Sequence, residues 1–121
     1  MTPPIQQTTI EPDIVLVELS GRIVLGRECQ QVERALDELI AGKQKKVVLD
    51  LSKLEYLDST GIGIIVTRCG HMEAAGGEMR IASMQPKVVD LMRTAKLDRI
   101  MHFYPTVADA LQGFAATTSQ S

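Results

Sequence analysis

The stretch running from Lys46 into the residues after Gly61 limits the possible folds more than any other part of the chain. Lys46-Val47-Val48-Leu49-Asp50-Leu51 is apolar at consecutive rather than alternate positions, as in an interior strand covered on both faces. Leu54, Tyr56 and Leu57 prolong that apolar path. Beyond Asp58-Ser59-Thr60-Gly61 the period changes. Ile62, Ile65, Val66, Cys69 and Met72 recur at intervals of three and four, which aligns them along one side of a helix of about four turns. The residues between are therefore a helix start. Asp58 and Ser59 both suit an N-cap, and the first backbone N–H groups of a helix have no partner within it.

The remaining elements fall around this centre. Residues 5–10 read as a short edge strand, and Glu11-Pro12-Asp13 as a hairpin turn, because proline fixes its own φ and lacks an N–H. Residues 14–20 are rich in β-branched side chains and predict a second strand ending at Gly21. A helical stripe of Val32, Leu36, Leu39 and Ile40 spans residues 26–41, with Gly42 as its C-cap. Lys43, Lys45 and Lys46 then form a solvated basic cluster complementing that helix end. After the central helix, Ala75-Gly76-Gly77 reverses the chain and residues 78–83 return as a strand. A strand-helix-strand unit of this length predicts parallel pairing with a right-handed crossover. Pro86 opens a third helix ending near Ala95, residues 100–104 form a last short strand, and residues 107–114 a last helix. The expectation is one α/β domain over residues 1–121, ordered over about 5–114, with a tail from Ala115 to Ser121 that frays.

With 121 residues, the chain can bury roughly 65% of its unfolded surface without disulfides or metal. A net charge of −2 gives no reason to expect nucleic acid. Cys29 and Cys69 lack a zinc or redox spacing and read as packing residues of a reducing compartment. The absence of a secretory leader and of an apolar run near the ~18 residues of a membrane span predicts a cytoplasmic protein. Asp58, Ser59 and His71 have the residue types of a hydrolase triad, but not its spacing. If Ser59 and His71 share a helix, twelve residues at about 1.5 Å each hold them roughly 18 Å apart, against the ~3 Å of proton transfer. His102 comes with no nucleophile elbow and no phosphate loop. The expectation is no catalytic residue, no cofactor and no metal.

Leu57-Asp58-Ser59-Thr60-Gly61-Ile62-Gly63, followed by Gly76-Gly77-Glu78-Met79 and then Ile100-Met101-His102-Phe103, resembles the STAS family, in particular the small bacterial anti-sigma factor antagonists. The resemblance covers about residues 15–111. It implies a mixed sheet of about four central strands, covered by helices mostly on one face. It also implies that Ser59, the serine after the motif's aspartate, is phosphorylated by a GHKL-type serine kinase that is itself the anti-sigma factor. A PP2C-type phosphatase would act on the phosphorylated form. The implied partner surface is Asp58, Ser59, Thr60, Gly61 and Ile62. Two departures stand out. Relatives usually read Gly-Glu-Leu-Asp where this chain reads Gly21-Arg22-Ile23-Val24, so Val24 cannot make a contact that used the acid. At Ala95-Lys96-Leu97, a lysine stands where relatives often have glycine. Because STAS domains also serve in stressosomes and transport-associated complexes, an unswitched subunit of such a complex is the alternative expectation.

Overall fold

Alternation along the strands sorts the apolar side chains onto two faces, and the helices follow that division. The computed structural model describes residues 5–11 and 13–119. In chain order it contains β1 (Ile5–Glu11), β2 (Ile14–Ile23), α1 (Arg27–Ala41), β3 (Lys46–Leu57), α2 (Ser59–Ala74), β4 (Glu78–Ala82), α3 (Pro86–Thr94), β5 (Phe103–Tyr104) and α4 (Val107–Ser119). The sheet order is β1-β2-β3-β4-β5. β1 pairs with β2 antiparallel, and the other neighbours are parallel. Val15, Val17 and Leu19 of β2 and Val47, Leu49 and Leu51 of β3 form the larger core with α1, α2 and α3. The intervening Ile14, Leu16 and Val48 pack with Ala82 against Ala110 and Phe114 of α4. The sheet is thus covered mostly on one face, as expected, with β1 added as an antiparallel edge.

Charged residues fasten the helices. Arg68 on α2 grips Asp37 on α1 through two bonds of 2.9 and 3.1 Å, and reaches Glu33 at 3.2 Å. On the other face Arg80 is buried. Its guanidinium donates to Glu78 at 2.8 Å and to the Ala110 carbonyl at 3.0 Å, and lies 4.1 Å from the Phe114 ring centre. These contacts tie α4 to the sheet and satisfy a charge that would be costly to bury alone.

Several boundaries differ from the sequence expectation. β2 does not stop at Gly21: it continues to Ile23, and Gly21 takes φ 73 where the pairing with β3 slips. Glycine tolerates that left-handed backbone and lets the strand bend rather than end. Gly42 is the C-cap of α1, as expected, but the left-handed residue is the next one, Lys43, at φ 64. Gln44 N–H bonds the Leu39 carbonyl and Lys43 N–H that of Ile40, closing the helix end. The basic cluster is not simply solvated. Lys45 donates to the Ala75 carbonyl at the end of α2, and Lys46 pairs with Asp13 at 2.8 Å. Ser83 lies beyond β4, with φ 61.

The last strand is only Phe103–Tyr104, because residues 97–99 form a 3-10 turn that buries Leu97 and leaves Ile100 exposed. Lys96 enters that turn at φ 60, a conformation glycine adopts at less cost. α4 runs to Ser119, five residues past the expected end at Phe114. Alanines at 115 and 116 are strong helix formers, and no glycine or proline follows Gly113. The expected turn residue Pro12, and the ends 1–4 and 120–121, lie outside the described residues.

Candidate functional site

β2 and β3 are parallel, so Ile23 and Leu57 finish side by side in register, and the segments after them meet at one end of the sheet. The meeting point is Asp58. It takes an extended backbone, φ −89 and ψ −178, and is the N-cap of α2. Ser59 is therefore the first helical residue rather than the cap. The Gly61 N–H donates to Asp58 Oδ1 at 2.8 Å, the Leu25 N–H donates to Oδ2 at 2.8 Å, and the Asp58 N–H reaches the Ile23 carbonyl at 3.3 Å. One carboxylate thus joins the start of α2 to the β2–α1 loop. The Gly61 and Leu25 N–H groups, in that order, hold the Asp58 carboxyl below the usual carboxylate range.

The sequence-predicted site residues come together here at graded depth. Ser59 is exposed, Asp58, Thr60 and Ile62 are half-buried, and Gly61 is buried. Ile64 and Ile65 turn inward behind them. A Cβ on Gly61 would lie 2.8 Å from the Ile23 carbonyl oxygen and 2.9 Å from Leu57 Cδ2, closer than side-chain carbons tolerate. Gly61 therefore lets α2 seat directly on the end of β2. Among the described residues no hydrogen bond engages the Ser59 hydroxyl, and the first turn of α2 carries no acidic residue. Its N–H groups and dipole leave a setting that tolerates negative charge on Ser59.

Neither histidine is positioned to activate that serine. His71 lies near the far end of α2, and His102 sits where β5 begins, its carbonyl accepting from the Ile81 N–H. Cys29 and Cys69 are free and buried, as their reading as packing residues requires. Among the described residues no three His, Cys, Asp or Glu side chains cluster as a metal site would need, and no helix is long and apolar enough to cross a membrane. Of the β2–α1 loop, the sequence singled out Val24 but not Leu25, whose N–H meets Asp58. The signal was available, since Leu25 is an apolar residue directly before Gly26, which takes φ 126.

The model of the STAS domain matches residues 6–110. The chain belongs to the STAS domain family. This STAS domain is 32% identical over 99 residues to the anti-sigma F factor antagonist of Paenibacillus polymyxa, covering 81% of this chain and 84% of that protein. In three dimensions it is similar to the crystal structure of a candidate anti-sigma factor antagonist from Thermotoga maritima. The TM-score is 0.82 at 24% identity, over 90% of this chain and 92% of that one. It is also similar to the Bacillus cell fate determinant SpoIIAA in its phosphorylated form, with TM-score 0.72 and 18% identity over 91% and 98% of the two chains. At these identities the structures speak for the fold alone, and the Paenibacillus relative carries the functional likeness.

Proposed function

We propose that this STAS domain is an anti-sigma factor antagonist switched by phosphorylation at Ser59. In the unmodified form Asp58, Ser59, Thr60, Gly61 and Ile62 dock on a GHKL-type serine kinase that is the anti-sigma factor, and the sigma factor is released. The kinase transfers the γ-phosphoryl group of ATP to Ser59 Oγ; ADP leaves, and the serine proton passes to a base on the kinase. A PP2C-type phosphatase hydrolyses the ester and restores the docking form. The chain supplies the acceptor and performs no catalysis of its own.

The observation that carries this reading is the division of labour at the start of α2. Asp58 caps the helix, so Ser59 is exposed at its first turn with an uncommitted hydroxyl. Phosphate there adds about −1.5 to −2 charges. The helix N-terminus accommodates that charge, so the fold persists. A docking surface that was uncharged at Ser59 now carries a dianion that must be desolvated to bind, and binding falls.

The test uses this chain, the GHKL-type anti-sigma kinase purified from the same genome, and ATP. Mass spectrometry should place one phosphate on Ser59. Ser59→Ala should fold, bind the kinase and resist modification, whereas Ser59→Asp should fold and bind poorly. Phosphate on Thr60 would refute the assignment of Ser59, and wild-type affinity in Ser59→Asp would refute the switch and favour an unswitched subunit of a larger complex.

A further inference from the structure

Leu25 is 75% exposed, more than any other large apolar side chain among the described residues. Its exposure is built into the backbone. The Leu25 N–H is tied to Asp58 Oδ2 at 2.8 Å, and Gly26 follows at φ 126, a conformation that L side chains rarely adopt. The loop is thereby held with its apolar side chain outward, beside the serine-bearing turn. The other exposed large apolar residues, Ile10 and Ile100, lie at the opposite end of the sheet. Ile10 adjoins the start of β2, where Glu11 pairs with Ile14, and Ile100 precedes β5. Val24 beside it is half-buried, so the loop presents two adjacent apolar side chains, Val24 partly covered and Leu25 outside.

From these observations we infer that Leu25 is the apolar anchor of the partner-docking surface, and that Asp58 is the positioning residue that holds it beside Ser59. This rests on the proposed function. The partner is the anti-sigma kinase, whose face opposite Leu25 is an apolar pocket, as a side chain 75% exposed and wholly apolar requires. Moving an exposed leucine from water into a partner's apolar pocket removes apolar area from solvent, which favours association. The same carboxylate caps the serine-bearing helix and fixes the anchor, so phosphate on Ser59 falls within the same few residues as the apolar contact.

Binding of the purified kinase should weaken at least about tenfold in Leu25→Ala and further in Leu25→Asp, with Leu25→Met restoring most of the affinity. Ile100→Ala, which shortens an exposed apolar side chain at the far end, should leave binding unchanged. Asp58→Ala should weaken binding and also speed hydrogen exchange at the Leu25 amide, a readout that loss of the helix cap alone would not move. Wild-type binding matched by Leu25→Asp would overturn the anchor while leaving the phosphorylation switch intact. A self-associated wild type that becomes monomeric in Leu25→Asp with kinase affinity unchanged would likewise overturn it, assigning Leu25 to a second copy. Failure of the wild type to bind the kinase at all would overturn the proposed function first, and this inference with it.

Discussion

Two glycines of α2, two residues apart, should respond to the same substitution with opposite sign. In Gly61→Ala the new methyl would stand 2.8 Å from the Ile23 carbonyl oxygen and 2.9 Å from Leu57 Cδ2. The leucine tip could yield, but it is nearly completely buried, and the carbonyl is backbone that also accepts the Asp58 N–H. Relief therefore requires α2 to lift from β2 by several tenths of an ångström. Forcing a methyl into a packed site costs about 1–3 kcal/mol, and the helix-propensity gain of at most about 1 kcal/mol offsets only part of that. The net expectation is a loss of about 1–2 kcal/mol. In Gly63→Ala the methyl meets nothing within 4 Å, so only the propensity term remains, a gain of about 0.5–1 kcal/mol. Urea unfolding should show the two midpoints moving in opposite directions at unchanged slope. By heat, the variants should differ by roughly 8 °C, taking about 4 °C per kcal/mol for a domain of this size. A Gly61→Ala protein as stable as Gly63→Ala would refute the close seating of α2 on β2.

Two further outcomes follow from ionisation. The Asp58 carboxyl is held below its ordinary value by the Gly61 and Leu25 N–H groups, so the fold favours its charged form. That stability is complete above the unfolded value of about 4 and is lost as pH falls through the depressed folded value. Acid titration of unfolding should show a shallower decline below about pH 4 in Asp58→Asn than in wild type, and an identical slope would exclude the bridging carboxylate. Burial, with a smaller push from Glu73, raises the Cys69 thiol to about 12, so at pH 8 almost none is thiolate. A chromogenic disulfide reagent should react with neither cysteine in the folded protein and with both after unfolding; rapid titration of Cys69 in the native state would contradict its packing.

The local period of the sequence was enough to establish the element types and the position of Ser59. Consecutive apolar residues in 46–51 and the three-and-four spacing after Gly61 are set by strand and helix geometry, so β3, α2 and an exposed serine at their junction were legible without coordinates. Where two cues competed, the tertiary structure decided. Gly21 looked like a strand end but became a bend within β2, because a long β3 offered it a partner ladder. Residues 100–104 looked like one strand, yet the turn at 97–99 left only two residues to pair with β4. Nothing in the residue types indicated that Asp58 would bind Leu25, because the donor there is a backbone N–H, which nearly every residue carries. Likewise, nothing near Arg80 in sequence announced its burial against Phe114, 34 positions away. Periodicity records what a residue does within its own element. Contacts between elements arise only when the sheet brings distant chain ends together, which is why the cap at Asp58 could be read from the sequence and its hold on the Leu25 loop could not.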